Sequence, residues 1–121
     1  MLKSYRDLLV WQKAMELATK SYKLSSQFPR TEIYGLTSQI RRASVSVPCN
    51  IAEGYGRSSR KEYLQFLFIA QGSLKELETQ AILAHQLSFV SQESTCELLS
   101  ESETLGKMLG ALIRSLKAKL A

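Results

Sequence analysis

The chain has 121 residues, a formal net charge of +5, 45% hydrophobic residues and 22% charged residues. This length supports one domain with a sizeable core, so residues 1–121 are expected to fold as a single domain. No window approaches the roughly 18 consecutive apolar residues of a membrane span, and the N-terminal segment lacks a signal-peptide pattern. Cys49 and Cys96 lie far apart in sequence, which is typical of reduced thiols in a cytoplasmic protein.

The first predicted helix begins at Asp7, whose carboxylate can accept hydrogen bonds from free backbone N–H groups. Two apolar stripes follow at helical spacing, and the Phe28-Pro29 pair ends the helix. The stripes are Leu8, Trp11, Met15, Ala18 and Tyr22, and Val10, Ala14, Leu17 and Leu24.

The second predicted element raises a choice between a strand and a helix. In Ser44–Val47 (SVSV) polar and apolar residues alternate just before Pro48, as they do in a strand. Apolar residues also step by three or four across residues 33–51, and Pro48 does not shift that rhythm. We therefore predict one helix from Thr31 to about Tyr55, bent at Pro48.

Glycine and serine residues separate the second helix from the third. Gly54 and Gly56 are expected to end the second helix, because glycine tolerates the left-handed conformation found at helix C-termini. Ser59 and Glu62 form the S-x-x-E pattern of a capping box, which predicts a third helix running to about Leu87.

The fourth predicted helix begins near Ser91 and carries leucines from Leu98 to Leu116 at helical steps. All connections are short, so neighbouring helices should be antiparallel. The sequence thus predicts an all-α, up-down-up-down four-helix bundle with a kinked second helix.

The third helix carries more apolar surface than one core-facing stripe requires. Its core stripe runs from Tyr63 to Ala84, and a second stripe lies on a different face. Such a face is covered either by a loop or helix end, or by another subunit; we favour self-association. The second stripe, which is the predicted oligomer interface, consists of Leu64, Phe68, Ile82 and Phe89.

Positive charge is concentrated in the first half of the chain. Residues 1–61 contain eleven Lys/Arg and four Asp/Glu, whereas residues 62–121 contain five and seven. A basic half of this size suits an anionic partner, usually RNA or DNA; the alternative is a solvated surface. At the start of the third helix, free N–H groups and the helix dipole also favour an anion. The candidate nucleic-acid-binding residues are Arg41, Arg57, Arg60 and Lys61, with Lys20, Lys23 and Arg30 as extensions.

A polar stripe follows the second predicted helix at steps of three or four residues. It either faces solvent or forms a hydrogen-bonded seam against a neighbouring helix or subunit, and we favour a structural seam. Arg41 falls on a different line and is expected to point outward. The seam residues are Gln39, Arg42, Ser46, Asn50 and Glu53.

Motifs that would indicate an enzyme do not stand out. The segment GYGRSSRK lacks the spacing of a dinucleotide-binding or Walker loop, and no G-x-S-x-G elbow occurs. His85 has no cysteine or second histidine at ligand spacing, and no E-x-x-H recurs on two helices. We therefore expect a non-enzymatic protein without a metal or cofactor.

Long segments of the chain resemble a known family. They are VWQKAMEL at Val10–Leu17, FPRTEIYGLTSQIRRASVSVPCNIAEGYGR at Phe28–Arg57, KEYLQFLFIAQGSLKELETQ at Lys61–Gln80, and the tail KMLGALIRSLK. These segments resemble the four-helix-bundle proteins encoded within intervening sequences of bacterial large-subunit ribosomal RNA genes. The most specific part is the QIRRA…S-x-P-x-NIAEG-x-GR core.

The resemblance implies a four-helix bundle that assembles as a ring-like homopentamer, in agreement with the second apolar stripe on the third helix. A related protein is the accessory protein of diversity-generating retroelements, a basic pentamer that binds nucleic acid and partners a reverse transcriptase. For the ribosomal branch the resemblance implies no defined biochemical role.

Two functions of different kinds follow. The first is a non-enzymatic, homo-oligomeric protein that binds nucleic acid, with structured RNA as the expected ligand. Its binding should be salt-sensitive and weakly sequence-selective, because no exposed aromatic platform is evident. The alternative is a protein-partner scaffold, such as an accessory subunit of a retroelement reverse transcriptase.

Overall fold

Four long helices account for most of residues 2–120, the part of the chain that this computed structural model describes. Short 3₁₀ helices, Tyr5–Asp7 and Arg30–Glu32, precede the first and second of them, and no strand occurs in the described range. The long helices are α1 (Leu9–Ser25), α2 (Leu36–Tyr55), α3 (Arg60–Gln86) and α4 (Gln92–Leu120).

Side-chain contacts show how the helices are arranged. The Ser73 hydroxyl on α3 donates to Ser46 Oγ on α2 at 2.8 Å, and Ser102 on α4 donates to the Glu78 carboxylate on α3 at 2.6 Å. α1 packs against both α2 and α4, which closes the bundle around one core. The predicted four-helix bundle is confirmed, and the serine-valine segment that resembles a strand is helical.

The predicted starts of the first two helices are wrong. The Asp7 carboxylate accepts N–H bonds from Lys3 and Ser4 at 2.9 and 3.3 Å, so it stabilises the 3₁₀ helix Tyr5–Asp7. Thr31 likewise lies in a 3₁₀ helix, and α2 begins only at Leu36, whose N–H donates to the Glu32 carboxylate at 3.0 Å. In both places a short turn with its own hydrogen bonds comes before the α-helix.

The boundaries of α3, the start of α4 and the end of α2 agree with the prediction, whereas α1 ends at Ser25, before the Phe28-Pro29 pair. Ser59 Oγ accepts the N–H of Glu62 at 3.1 Å at the start of α3, and Ser91 Oγ accepts that of Ser94 at the start of α4. α2 passes through Pro48 without interruption.

Gly54 and Gly56 have other roles than the predicted left-handed cap. Gly56 ends α2 with a φ of −78°, in the ordinary helical region. Gly54 is buried inside α2, where a Cβ would lie 2.8 Å from Phe66 Cβ and 3.0 Å from Tyr63 Cδ1. Gly54 is therefore glycine because α2 and α3 approach closely at this point.

We predict that Gly54→Ala lowers the free energy of unfolding by about 1–3 kcal/mol, because its Cβ would force α2 and α3 apart. Gly56→Ala is the matched control, since a Cβ there meets its nearest atom at 3.6 Å. It should leave the stability unchanged or raise it by up to about 1 kcal/mol. Urea unfolding followed by circular dichroism measures both, and equal effects would contradict the close-contact explanation.

Candidate functional site

One end of the bundle gathers basic residues from separate parts of the chain. The α2–α3 connection lies there, and antiparallel packing brings the N-terminal segment and the end of α4 to the same end. Seven Lys/Arg side chains are exposed at this end, and none forms an ion pair within residues 2–120. We call this set the basic end: Lys3, Arg6, Arg57, Arg60, Lys61, Lys117 and Lys119.

Aromatic rings support several of these cations. The guanidinium of Arg57 lies 4.8 Å from the centre of the Phe66 ring, and Lys117 Nζ lies 5.1 Å from that of Phe68. A stacked guanidinium keeps its edge free to donate hydrogen bonds to a phosphate. The rings therefore fix the positions of the cations without neutralising them.

The start of α3 is less open to an anion than its sequence indicates. Ser59 Oγ already accepts the N–H of Glu62, and the Ser59 hydroxyl lies 3.4 Å from the Glu62 carboxylate. This carboxylate weakens the positive potential of the helix N-terminus. The side chains of Arg57, Arg60 and Lys61 are thus the main attraction for an anion here.

The remaining predicted phosphate contacts lie near the opposite end of the bundle. They belong to the last turns of α1, the α1–α2 connection and the start of α2. α3 has 27 residues, which separates the two ends by about 40 Å. The seven candidates therefore do not form one surface on a single chain. Those at the opposite end are Lys20, Lys23, Arg30 and Arg41.

Arg41 does not point outward as predicted. Its Nε donates to Ser25 Oγ at 2.8 Å, and its guanidinium lies 4.8 Å from the centre of the Tyr22 ring. Lys20 is also engaged, because it pairs with Glu97 and Glu101 on α4, and its hydrogen bond to Glu101 raises the pKa of the ammonium group. Of the four, only Lys23 and Arg30 are exposed and unpaired within the described residues.

The polar stripe on α2 divides into a seam and a solvent-facing part. Asn50 Nδ2 donates to the carbonyl and hydroxyl oxygens of Ser46 at 2.7 and 2.9 Å, and Ser46 also accepts from Ser73 on α3. These bonds form a seam between two helices of the same chain. The other members of the stripe are exposed and belong to no such seam: Gln39, Arg42 and Glu53.

An apolar groove lies between α1 and α2 on the outside of the bundle. Its volume is about 650 Å³. Met15 and Tyr22, which belong to one of the two apolar stripes predicted on the first helix, are 43% and 44% exposed. The sequence held a signal for this groove, because a helix with two apolar stripes needs only one of them to face the core. We call this the α1–α2 groove, lined chiefly by Trp11, Met15, Tyr22, Val45, Pro48 and Cys49.

The second apolar stripe predicted on α3 is only partly exposed. Leu64 is buried in the core, and Phe89 packs against Phe28 with ring centres 5.7 Å apart. Contacts inside the chain therefore cover Leu64 fully and Phe89 in part. The exposed apolar residues of α3 and of its C-cap form what we call the α3 outer face: Phe68, Ile69, Ile82, Leu83 and Leu87.

Other kinds of site are not indicated in residues 2–120. No group of three or more His, Cys, Asp or Glu side chains within this range is arranged to hold a metal ion. His85 Nδ1 lies 3.3 Å from the carbonyl oxygen of Val90, at the turn between α3 and α4. None of the helices described is long and apolar enough to cross a membrane.

We predict that Ser46→Ala lowers the free energy of unfolding by about 1–2 kcal/mol, because the buried Ser73 hydroxyl loses its acceptor. Ser115→Ala, at an exposed position of α4, is the control and should have little effect or be slightly stabilising. Thermal unfolding of both variants checks this. If Ser46→Ala behaved like the control, the seam would contribute nothing to stability.

Comparisons with known proteins agree with this fold. Among curated proteins no match is found. A crystal structure of a protein of unknown function from the S23 ribosomal protein family of Bacteroides thetaiotaomicron superposes with a TM-score of 0.81 at 24% sequence identity. The match covers 87% of this chain and 98% of that one, and at this identity it shows a common fold.

The sequence also matches a family model over most of its length. The match spans residues 6–111, which include α1, α2, α3 and most of α4. It confirms the family resemblance that the sequence segments of α2 and α3 indicate. The chain belongs to the 23S rRNA-intervening sequence protein family.

Proposed function

We propose that this chain is a cytoplasmic, non-enzymatic protein that assembles as a homopentamer and binds structured RNA through its basic end. One observation carries the proposal: seven exposed Lys/Arg side chains lie together at one end without an ion pair in the described chain. Three carboxylates, Asp7, Glu53 and Glu62, lie among them, so the surface keeps a positive balance.

The shape of this surface favours contact with a phosphate backbone. Its cations come from an N-terminal turn, an interhelical connection and a helix end, so they form a broad patch on the end of the bundle. Double-stranded RNA is recognised mainly by its phosphates and hydroxyls, because its deep major groove is closed to side chains. The family takes its name from intervening sequences in 23S rRNA, which makes structured RNA the first ligand to test.

Self-association strengthens RNA binding by such a surface. A single patch of this size binds weakly at physiological salt, because each phosphate contact is screened. Several copies on one rigid assembly raise the overall affinity through effective concentration. The α1–α2 groove and the α3 outer face leave large apolar side chains exposed, which supports an oligomer.

We predict that replacing Arg57, Arg60 and Lys61 together by alanine weakens binding to a structured RNA and flattens its salt dependence. Each lost phosphate contact should lower the slope of log K against log salt by about one. Fluorescence anisotropy across a salt series measures the slope, with a duplex DNA of matched length for comparison.

The matched control replaces Arg30, Lys75 and Lys107, which removes the same charge away from the basic end. Its salt slope should stay close to that of the wild type, and light scattering should show the same mass for all three proteins. Equal losses in both triple variants would mean that binding depends on net charge alone. No binding by an intact oligomer at low salt would refute the RNA proposal and point to a protein partner.

A further inference from the structure

Two apolar surfaces of the chain face different directions and remain exposed, with Lys117 packed on the ring of Phe68 at one edge of the second. The α1–α2 groove is concave, with exposed Met15 and Tyr22 in its wall. The α3 outer face is convex, with Phe68 and Ile69 exposed at 44% and 51%. A convex helix face and a groove between two helices have complementary shapes.

The two surfaces lie at the same height along the bundle. Gly54 meets Phe66, and Ser46 bonds to Ser73, so the part of α2 between them is level with residues 66–73 of α3. Pro48 and Cys49, which line the groove, are thus level with Phe68, Ile69 and Gly72. A Cβ at Gly72 would meet no atom within 4 Å, so the outer face is bare there and admits a close neighbour.

Charge at the edges of the two surfaces is also complementary. Lys23 lies at the end of the groove next to Tyr22, and Tyr22 contacts Arg41 on α2. Glu76 lies one turn beyond Ser73 on α3. This position is level with the part of α2 near Arg41. Neither Lys23 nor Glu76 forms an ion pair within residues 2–120. Glu76 and Arg42 line one polar groove without forming an ion pair with each other.

We propose that the α3 outer face of one copy docks in the α1–α2 groove of the next copy, with Glu76 facing Lys23 of that copy. This inference rests on the proposed self-association and specifies its geometry. When copies are related by rotation about an axis parallel to the bundle, equal heights meet, so the apolar centres and the charged pair align together. The contact joins two different surfaces, so a pair of copies leaves one groove and one outer face unused. Further copies added by the same rotation fill these surfaces and close the assembly as a ring.

A second copy fits the groove better than unpaired RNA bases do. The groove is lined mainly by aliphatic and aromatic side chains, and the guanidinium at its end, that of Arg41, is already bonded to Ser25. An RNA strand would bring one negative charge per nucleotide along this apolar surface. The apolar side chains of the α3 outer face bring no negative charge onto this surface. Docking there also buries the exposed methionine and phenylalanine side chains.

The test uses one variant of each surface. Met15→Glu places a charge in the groove, and Phe68→Glu places one on the outer face; both positions are more than two-fifths exposed, so the fold tolerates the change. Each variant alone should be a monomer of 13.6 kDa by light scattering. An equimolar mixture should give a species of twice that mass, because one intact groove and one intact outer face remain.

Leu9→Glu is the matched control, since Leu9 is 58% exposed and lies on neither surface. It should keep the mass of the wild type, and circular dichroism should show equal helix content in all variants. The charged pair has its own check: Lys23→Glu and Glu76→Lys should each weaken the assembly at least several-fold, and the double variant should restore it.

Three results would overturn this geometry. A mixture that stays monomeric, or a variant that still dimerises alone, would show that the two surfaces do not pair. Wild-type mass for Met15→Glu with a loss of RNA binding would assign the groove to RNA. A monomeric wild type would instead refute the proposed self-association itself, which is a different failure.

Discussion

The close contact between α2 and α3 fixes the register on which the rest of the molecule depends. Gly54 allows the two helices to touch at Phe66, and the Ser46–Ser73 hydrogen bond holds them two turns further along. With this pair in place, the connection between them forms one end of the bundle, and α1 and α4 pack alongside. The same register sets the heights of the α1–α2 groove and the α3 outer face.

Antiparallel packing converts a scattered distribution of charge into a localised one. The sequence shows a basic first half and an acidic second half, but the folded chain sorts charge by bundle end. Lys117 and Lys119, from the acidic half, join Arg57 and Arg60, while Lys20 is neutralised by Glu97 and Glu101. A phosphate surface on one end and apolar surfaces on the sides can coexist, and they meet at Phe68, whose ring contacts Lys117.

Local sequence signals predicted the helices well, because caps and apolar periodicity act within a few residues. Ser59, Ser91 and the run of apolar residues through Pro48 belong to this class. The role of Gly54 could not be predicted, since it depends on a contact with α3. The same holds for Arg41, whose bonds to Ser25 and Tyr22 require α1 to lie beside α2. The contribution of α4 to the basic end needs the complete topology.

The central claim is that RNA contacts the end of the bundle that holds the α2–α3 connection. Amide hydrogen exchange followed by mass spectrometry, with and without a structured RNA at low salt, tests it on the unaltered protein. The account predicts new protection in residues 3–8, 56–62 and 115–120, with the α1–α2 connection unchanged. Protection confined to residues 26–36, or to the α1–α2 groove of the assembled protein, would contradict it.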